Sequence, residues 1–461
     1  MRIIIVGCGK TGYSVAKILS AEKDVHVTVV DNNPGIFDHA SSSIDVKFVS
    51  GNGLTEKTLN EAGAKDADLI IAVTGADEVN ILCGIMAEHL GTKHSVARVR
   101  NPEYALEFNK LWQDLGIDMV INPEHQTARE ISRLLRHPTV DGIDTFIGGR
   151  IELVSFKVSE APEFFAGKKV SQIFNKKMGI LFAVVERGSM AIIPNGDFVF
   201  ENADVVRILG RPSSVMGFFA LLEKKRRYIH EVVIIGGGKI THYLTELLHR
   251  HTKKARIKII EKDREKCEEL CQALCMDNHR CMILHGDGTN EDVLLDADIG
   301  TADAVICLSG RDEENAIIAL YAQRVGVRKV ITKVNHIQQN MIKNIGLGTV
   351  INPQSIASDS VVRYVRGLLG AQGRNIRTMY KIFSGTDGNV EIVEFIVNKK
   401  ARCLDTPLKD LRLRKEMLIG CIVRGSEVII PSGETRMQMG DNVVIIAKNV
   451  DIHELDDILS A

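Results

Sequence analysis

The sequence predicts a duplicated α/β chain: two domains with doubly wound parallel sheets, each followed by a small α+β domain. Short uninterrupted apolar runs, such as Ile3–Val6 and Leu69–Val73, alternate with helical patterns, which indicates parallel strands that are covered on both faces. Later segments carry strand-like pieces separated by turn signals such as Pro194-Asn195-Gly196, which favours a smaller α+β domain. The third observation is that this whole arrangement occurs twice.

The duplication consists of five paired segments that recur in the same order. The register offset is 229 residues at the first glycine, 235 at the GADE and GRDE segments and 230 at the INP segments, as loop insertions would produce. The pairs are residues 3–19 with 233–248, VTVVD ending at Asp31 with IKIIE ending at Glu261, 73–80 with 308–315, 120–123 with 350–353, and 187–209 with 424–446. We therefore predict two copies of one unit of about 230 residues.

Each copy divides at an amphipathic segment that joins its two domains. Ala128, Ile131, Leu134 and Leu135 fall on one face of a helix, which predicts a connecting helix there. The predicted boundaries are a first parallel-sheet domain at 1–124, a connecting helix at 125–149, a small domain at 150–228, a second parallel-sheet domain at 229–354, a second connecting helix at 355–378, and a second small domain at 379–461.

Composition excludes several classes of protein. The 461 residues include 58 Lys+Arg and 59 Asp+Glu, and this balance argues against attraction of the whole chain to nucleic acid or to an anionic membrane. No apolar run approaches the ~18 residues that span a bilayer. The nine cysteines are an odd number without a paired framework, which predicts reduced thiols in the cytosol. We expect a cytosolic protein that serves any membrane process from the cytoplasmic side.

The GCGKTG segment at residues 7–12 follows an apolar strand and opens a helix, which is the dinucleotide-binding fingerprint of a Rossmann-like domain in its proper context. Gly7 allows the tight turn, Gly9 lets the backbone approach a pyrophosphate, and Gly12 lets the helix pack against the strand. Asp31, at the end of the second strand, can accept hydrogen bonds from ribose hydroxyls. A carboxylate there disfavours a 2′-phosphate, so NAD or an adenine nucleotide is favoured over NADP.

The corresponding GGGKIT segment at 236–241 departs from the fingerprint. Thr241 brings a β-branched side chain to the place of the third glycine, where helix and strand make close contact. Glu261 keeps the acid that would bind the ribose. Two interpretations stay open for this segment: a weaker or different nucleotide site, and a structural pseudo-site.

Further candidates lie at strand ends on the same edge of the sheet. Arg98 and Arg100 alternate along a strand, so they point the same way and could pair with phosphates. The alternative is a solvated strand end or an inter-domain ion pair. In the second half their places are taken by Lys333 and Asn335, which predicts a weaker grip on phosphate. The remaining candidates follow the fourth apolar strand of each half and would line an adenosine pocket: Thr74-Gly75 and Ser309-Gly310.

A cysteine cluster and a basic run have simpler explanations than a metal or nucleic-acid site. The thiols at 267, 271 and 275, with His279 and Cys281 nearby, share a helix face with Leu270 and Leu274, so we predict a core helix without a metal. The basic run at 224–227 lies between the halves and is predicted to be a solvated linker.

We predict no catalytic residues. The sequence has no triad, no paired acids and no evident general base in the small domains, although a dehydrogenase needs a proton-transfer group. An NAD-dependent oxidoreductase remains the alternative from another functional class.

GCGKTG, VTVVD, VTGADEVN, LSGRDEEN, ARVRNPEY and the twin VINP together resemble the tandem KTN/RCK (regulator of potassium conductance) family across essentially residues 1–461. The resemblance implies that each small domain is an RCK C-terminal domain. It also implies a cytosolic NAD(H)-binding regulatory subunit that is peripheral on the inner face of the cell membrane, docked on an integral-membrane potassium transporter of the TrkH/TrkG type. Family members commonly close rings of eight units, so a chain with two units would form a tetramer, and ATP and ADP are further ligands that the family implies.

The resemblance also implies the cofactor-binding residues. In the first half they are Gly7, Cys8, Gly9, Lys10, Thr11, Gly12, Asp31, Thr74, Gly75 and Arg98. In the second half they are Gly236, Gly237, Gly238, Lys239, Ile240, Glu261, Ser309 and Gly310. The predicted mechanism is a ligand-driven population shift, transmitted by the helices at 126–137 and 355–369. Regulation of another cation carrier, such as a proton-coupled antiporter, is the second alternative.

Overall fold

The computed structural model describes residues 1–22, 25–41, 44–101, 104, 111–136, 140–222, 229–251, 255–275, 279–335, 347–371, 376–385, 388–397, 401–449 and 455–460. The chain forms two compact units, one of Met1–Leu135 with Ile229–Val362, the other of Arg136–Tyr228 with Arg363–Ala461. Each unit therefore takes one part from each half of the chain. The basic run at 224–227 lies outside the described residues.

The first part of the first unit is a six-stranded, fully parallel sheet in the order β3-β2-β1-β4-β5-β6. Its strands are β1 Arg2–Val6, β2 His26–Asp31, β3 Lys47–Ser50, β4 Leu69–Ala72, β5 Ser95–Arg98 and β6 Met119–Ile121. Its helices are α1 Lys10–Ser20, α2 Gly35–Ser41, α3 Glu56–Ala62, α4 Asp77–His89, α5 Leu111–Asp114 and α6 Pro123–Arg136. Every residue of β4 is buried, as the uninterrupted apolar run predicts for a strand with helices on both faces.

The first small domain is an antiparallel sheet in the order β10-β9-β11-β8-β7 with short helices. Its strands are β7 Val140–Phe146, β8 Ile151–Lys157, β9 Ile180–Arg187, β10 Met190–Ile192 and β11 Val205–Gly210. Its helices are α7 Pro162–Phe165, α8 Val170–Ile173 and α9 Pro212–Leu222.

The second half repeats the parallel sheet in the same order, β14-β13-β12-β15-β16-β17. Its strands are β12 Glu231–Ile235, β13 Arg256–Glu261, β14 Cys281–His285, β15 Ala304–Cys307, β16 Lys329–Lys333 and β17 Thr349–Ile351. Its helices are α10 Lys239–His251, α11 Arg264–Leu270, α12 Glu291–Asp296, α13 Asp312–Arg324 and α14 Pro353–Ala371.

The second small domain has the same topology as the first, read as β18-β19-β22-β20-β21. Its strands are β18 Ile376–Gly385, β19 Gly388–Ile396, β20 Met417–Arg424, β21 Glu427–Ile429 and β22 Asn442–Lys448. The predicted fold class, two Rossmann-like doubly wound domains each followed by a small α+β domain, is thereby confirmed.

The connecting helices are shorter than the segments predicted for them. The first ends at Arg136, and the rest of the 125–149 segment contains β7. Val140, Ile143 and Thr145 are β-branched and favour a strand, which explains why the helical pattern does not continue. The second ends at Ala371, and β18 begins at Ile376, inside the 355–378 segment.

The two small domains share one hydrophobic core. Leu153 and Val184 from the first half pack in the same cluster of buried side chains as Ile392 and Val444 from the second half. Each small domain also contains a buried aspartate held by an arginine. The carboxylate of Asp204 is fully buried and accepts from the Arg187 guanidinium at 2.7 and 2.8 Å.

The prediction for the cysteine cluster holds only in part. Cys267 is buried on α11, but Cys271, where a π-helical turn of residues 271–275 begins, is exposed. Cys275 and Cys281 form a disulfide, so the expectation that every thiol is reduced is wrong for this pair. Across the described stretches, no group of three or more His, Cys, Asp or Glu side chains is arranged to hold a metal ion.

Candidate functional site

A cleft of about 840 Å³ lies at the carboxyl edge of the first parallel sheet, where the strand order reverses between β1 and β4. Open α/β sheets bind ligands at this switch point because the loops that leave neighbouring strands diverge there. The predicted residues that line the cleft are Gly7, Gly9, Lys10, Thr11, Asp31, Thr74, Gly75, Arg98 and Arg100. Two other predicted residues, Cys8 and Gly12, do not line the cleft. The backbone amide of Cys8 holds Asp31, and the absence of a side chain at Gly12 lets α1 pack against the sheet.

The glycine loop keeps the backbone of α1 close to the sheet. Gly7 has a φ of +101°, a left-handed conformation that glycine adopts without strain, and a Cβ there would lie 3.0 Å from the Thr74 nitrogen. A Cβ at Gly12 would overlap the carbonyl oxygen of Gly7, so helix and strand can approach only because Gly12 has no side chain. Gly9 has open space around its Cβ position and faces the cleft. The first amides of α1 are thus directed at the cleft, where they can bind a phosphate.

The carboxylate of Asp31 is fixed at the end of β2 by two backbone donors. The amide of Cys8 donates to Oδ2 at 2.7 Å, and the amide of Asn33 donates to Oδ1 at 2.9 Å. Burial, followed by the nearby Asp31 charge, raises the pKa of the Cys8 thiol, so this thiol stays neutral. Asp31 therefore presents an oriented anionic acceptor of the kind that ribose hydroxyls need.

The two arginines at the end of β5 have different partners. The sequence left open whether these arginines bind phosphate or form ion pairs, and the structure gives a different answer for each. Arg100 is an ion-pair residue: its Nε lies 3.4 Å from Asp77 Oδ1, and its guanidinium also donates to the Gly75 carbonyl. Arg98 makes one long hydrogen bond, from Nη1 to the Thr11 hydroxyl at 3.4 Å, and its Nε is buried without a hydrogen-bond partner among the described residues. Burial, followed by the Arg100 charge, lowers the pKa of Arg98. An anion in the cleft would satisfy this donor.

Several residues of the cleft were not predicted. Asn52 and Gly53 line the cleft and belong to the GNG segment at 51–53, which recurs as GDG at 286–288 in the second half. This recurrence was the available signal for them. Glu124, at the start of α6, lines the cleft, and one oxygen of its carboxylate, Oε2, is buried without a partner among the described residues. Asn335 and Gln354 come from the second half of the chain, so no local pattern in the first half could have identified them.

The second glycine loop has the same backbone conformation as the first, but the carboxylate of its acidic residue, Glu261, is covered. The amide of Gly237 donates to Glu261 Oε2 at 2.6 Å, and the amide of Asp263 donates to Oε1 at 2.9 Å. Glu261 is only 9% exposed, and a Cβ on Gly237 would overlap the side chain of Leu270. The carboxylate is thus held as in the first half but is covered by α11.

The cation of the second half is already paired with the backbone. Lys333, in the place of Arg98, donates from Nζ to the carbonyl of Leu308 at 3.0 Å, and burial lowers its pKa. Ile240, in the place of Thr11, is 7% exposed and belongs to the core. Ser309 keeps the role of Thr74, because its amide donates to Asn315 Oδ1 at 2.8 Å just as that of Thr74 donates to Asn80. Donors for a phosphate are therefore more available in the first cleft than at the second loop.

Comparison with known proteins identifies the family. The model of the TrkA-N domain matches residues 3–123 and 232–353, and that of the TrkA-C domain matches residues 153–223 and 392–460. The chain belongs to the TrkA family. The tandem resemblance found in the sequence is thereby confirmed.

Relatives of this TrkA-family chain match it along nearly its whole length. A Trk system potassium uptake protein TrkA homolog of Archaeoglobus fulgidus is 32% identical over 99% of this chain and 100% of its own. The Trk system potassium uptake protein TrkA of Halomonas elongata is 29% identical, with 99% and 98% covered. Both are named as uptake proteins rather than as oxidoreductases.

Solved structures share the fold at low sequence identity. The RCK domain of GsuK superimposes with a TM-score of 0.62 at 16% identity and covers 97% of this chain and 92% of its own. The GsuK channel bound to NAD gives a TM-score of 0.62 at 17% identity, with 97% and 77% covered. In the described part of the TrkA-family chain, no helix is long and apolar enough to cross a membrane.

Proposed function

We propose that this chain is the nucleotide-binding regulatory subunit of a potassium transporter and that it acts through conformational change rather than catalysis. Membership of the TrkA family supports this function. The observation that carries it is the cleft at the β1/β4 switch point, where Arg98 has a buried donor without a partner in the part of the chain that the structure describes and Asp31 is an oriented acceptor.

The residues of the first cleft fit NAD(H) or an adenine nucleotide. A diphosphate would meet the amides at the start of α1 and the buried Nε of Arg98, and the open space at Gly9 would admit its close approach. Asp31 would accept from ribose hydroxyls and would repel a 2′-phosphate. Thr74 and Gly75 would border the adenosine. For the second loop we propose weaker binding, with Gly236, Gly238 and Lys239 as the residues that would contact the ligand, because the Glu261 carboxylate is covered by α11.

A ligand in the first cleft can act on both halves because both line it. Lys10 and Arg98 belong to the first half, and Asn335 and Gln354 belong to the second. A ligand shifts an equilibrium between arrangements of the halves only by its difference in affinity for them. Nucleotides that differ in phosphate charge would therefore favour different arrangements of the two halves. Helices α6 and α14, which follow the two parallel sheets, would transmit the change.

The partner we propose is an integral-membrane potassium transporter subunit of the TrkH/TrkG type, with this chain at the cytoplasmic face of the membrane. The TrkA homologs are named for the Trk potassium uptake system, and the RCK domain of the GsuK channel shares the fold. We propose a tetramer, since two units in each chain would complete a ring of eight. The four domains predicted from the sequence are part of this proposal, with the connecting helices ending at Arg136 and Ala371.

The nucleotide site is tested by binding measured together with turnover. Purified protein should bind NADH, seen as fluorescence anisotropy and calorimetric heat, without oxidising it in the presence of simple carbonyl compounds. Asp31→Ala should weaken binding about tenfold or more, as the loss of about 1.4 kcal/mol would. Glu261→Ala is the matched control in the second half and should leave binding at the first cleft unchanged, because its carboxylate is covered by α11. Steady NADH oxidation would contradict the regulatory function.

The partner is tested by ion flux. The chain is combined with a TrkH-type subunit in potassium-loaded vesicles, and flux is followed with and without NADH, ATP or ADP. Nucleotide-dependent potassium flux that Asp31→Ala reduces would support the proposal. Regulation of proton-coupled antiport, with no effect on potassium flux, would instead identify another cation carrier.

A further inference from the structure

Tyr243 is a buried tyrosine of the second half that contacts the first half. It lies in the first turns of α10, the helix that begins directly after the second glycine loop. Its side chain is among the largest of the fully buried ones, with 1% of its surface exposed. It belongs to the same compact unit as the first cleft.

The hydroxyl of Tyr243 joins two strand ends of the first half. Asn122 Nδ2 donates to Tyr243 Oη at 2.8 Å, and Oη donates to the carbonyl of Arg100 at 3.2 Å. The His125 ring packs edge-on against the phenol, with ring centroids 5.1 Å apart. Arg100 follows β5 and Asn122 follows β6, so one hydroxyl fixes the ends of two adjacent strands. Burial raises the pKa of Tyr243 to about 12, which keeps the hydroxyl a donor at neutral pH.

Both partners of this hydroxyl lead directly to the wall of the first cleft. The side chain of Arg100 lines the cleft and holds the Gly75 carbonyl and the Asp77 carboxylate. Asn122 Oδ1 accepts from the amide of His125 at 2.8 Å and thereby fixes the first turn of α6, which carries Glu124 into the cleft. A displacement of either strand end would therefore move residues that face the ligand.

Among the residues that the structure describes, the duplicated position does not repeat this contact. The register that pairs Gly7 with Gly236 places Ser14 at the position of Tyr243. A serine hydroxyl lies one bond beyond Cβ, whereas the phenol oxygen lies beyond a full ring. Asn352, the counterpart of Asn122, keeps the bond to the following helix, because its Oδ1 accepts from the amides of Gln354 at 2.9 Å and Ser355 at 3.1 Å, so the difference between the halves lies in the tyrosine. The bridge from the second half to the first cleft thus depends on one residue that the other half lacks.

We propose that Tyr243 is a positioning residue of the first nucleotide site, through which the second half sets the affinity of the first cleft. This inference rests on the proposed nucleotide binding, and it makes the two halves one binding unit rather than two independent modules. Since Tyr243 stands on the helix that begins at the second glycine loop, any movement of that loop is transmitted to the wall of the first cleft.

The test compares Tyr243→Phe with Ser14→Ala, which remove one hydroxyl each from equivalent positions of the two halves. NADH affinity is measured by fluorescence anisotropy in the full chain, and the binding event whose affinity Asp31→Ala lowers is assigned to the first cleft. Tyr243→Phe should weaken this binding about tenfold, the factor that corresponds to about 1.4 kcal/mol, because the Asn122 amide and the Arg100 carbonyl lose their partner. Ser14→Ala should leave it unchanged.

Two further measurements separate positioning from general stability. In protein without nucleotide, hydrogen–deuterium exchange in residues 98–101 should rise in Tyr243→Phe and not in Ser14→Ala. If Tyr243→Phe lowers the melting temperature but leaves NADH affinity unchanged, the residue is only structural and the inference is overturned. An equal loss of affinity in Ser14→Ala would also overturn it. If the wild-type chain binds none of NADH, ADP and ATP, the proposed function itself fails, and the inference fails with it.

Discussion

The hydroxyl of Thr241 donates a hydrogen bond to the carbonyl oxygen of Gly236 at 2.5 Å. In the first half the same two places are taken by Gly12 and Gly7, and a Cβ at Gly12 would overlap the Gly7 oxygen. The second half thus accommodates a side chain at this contact by replacing close packing with a hydrogen bond. The two glycine loops look alike in sequence, but their helices meet their sheets differently.

Two glycine substitutions in the first loop should separate packing from binding. Gly12→Ala should lower the free energy of unfolding by about 1–3 kcal/mol, since its Cβ has no room. Gly9→Ala should leave stability within about 0.5 kcal/mol of the wild type, because its Cβ meets no atom within 4 Å. The same Cβ would protrude into the cleft and weaken NADH binding. Denaturant unfolding and NADH anisotropy measure the two effects, and equal stabilities of the two variants would contradict this account.

Arg98→Met should weaken binding of ADP and NADH about 10- to 100-fold, because a charge-assisted hydrogen bond of about 1.5–3 kcal/mol is lost. Lys333→Met is the matched control. Its amino group is bound to the Leu308 carbonyl, so its loss should leave the first cleft unchanged. Calorimetric titration with ADP measures both variants. Similar losses in the two would show that the cations of both halves contribute equally.

Asp204→Asn should destabilise the first small domain by about 2–4 kcal/mol, because a fully buried carboxylate then no longer compensates the Arg187 charge. Asp441→Asn should have a similar effect in the second small domain, where Arg424 Nε donates to the buried Asp441 at 2.8 Å. The control is Asp197→Asn, which removes an exposed partner of Lys169 and should change little. Melting temperatures of the full chain measure all three, and three equal shifts would contradict the prediction.

The first unit should lose stability as the pH falls below about 6.5. Burial, followed by the Arg129 charge, lowers the pKa of His125, so the native state takes up its proton less readily than the unfolded state. The stabilisation from neutral His125 is complete above the unfolded pKa and is lost as the pH falls through the folded pKa. His125→Gln should flatten this dependence by up to about 1.4 kcal/mol per pH unit. Unfolding free energies of the wild type and of His125→Gln between pH 5 and 8 decide, and equal slopes in the two would contradict the prediction.

Cys271 should be the thiol that reacts first with a maleimide at neutral pH. It is exposed, whereas the other free cysteines are buried, and burial raises the pKa of Cys83 and of Cys403 to about 12. Cys271→Ser should therefore remove the rapid phase of labelling, followed by mass spectrometry. Rapid labelling that persists in this variant would show that a buried cysteine is accessible.

The parts of the first cleft that could be predicted from sequence are those set by local chain geometry. Gly7 and Gly9 lie in one strand–loop–helix connection, and Asp31 ends the next strand, so their spacing alone brings them together. The pairing of Arg100 with Asp77 joins residues 23 positions apart that follow different strands. Only the tertiary structure shows which of the two neighbouring arginines is free for a ligand.

Contacts between the halves were beyond prediction for a different reason. Asn335 and Gln354 belong to the second half and line the first cleft because the two halves pack together. Hydrophobic periodicity does not show which residues of one half contact the other. The π-helical turn that begins at Cys271 could not be predicted either, because helical spacing assumes a regular α-helix. The duplication was visible in the sequence. It therefore predicts that the second half has the same strand order as the first, which the structure has.

The common core of the small domains, where Leu153 and Val184 meet Ile392 and Val444, has an evolutionary consequence. An ancestor with one copy of the duplicated unit could bury this core only by forming a dimer with an identical molecule. Every mutation would then have appeared twice in the dimer, once in each subunit. Fusion into one polypeptide removes that constraint. A tyrosine can then arise at position 243 while serine stays at position 14. Two formerly identical nucleotide sites can thus acquire different roles, one in binding a ligand and the other in setting the affinity of the first.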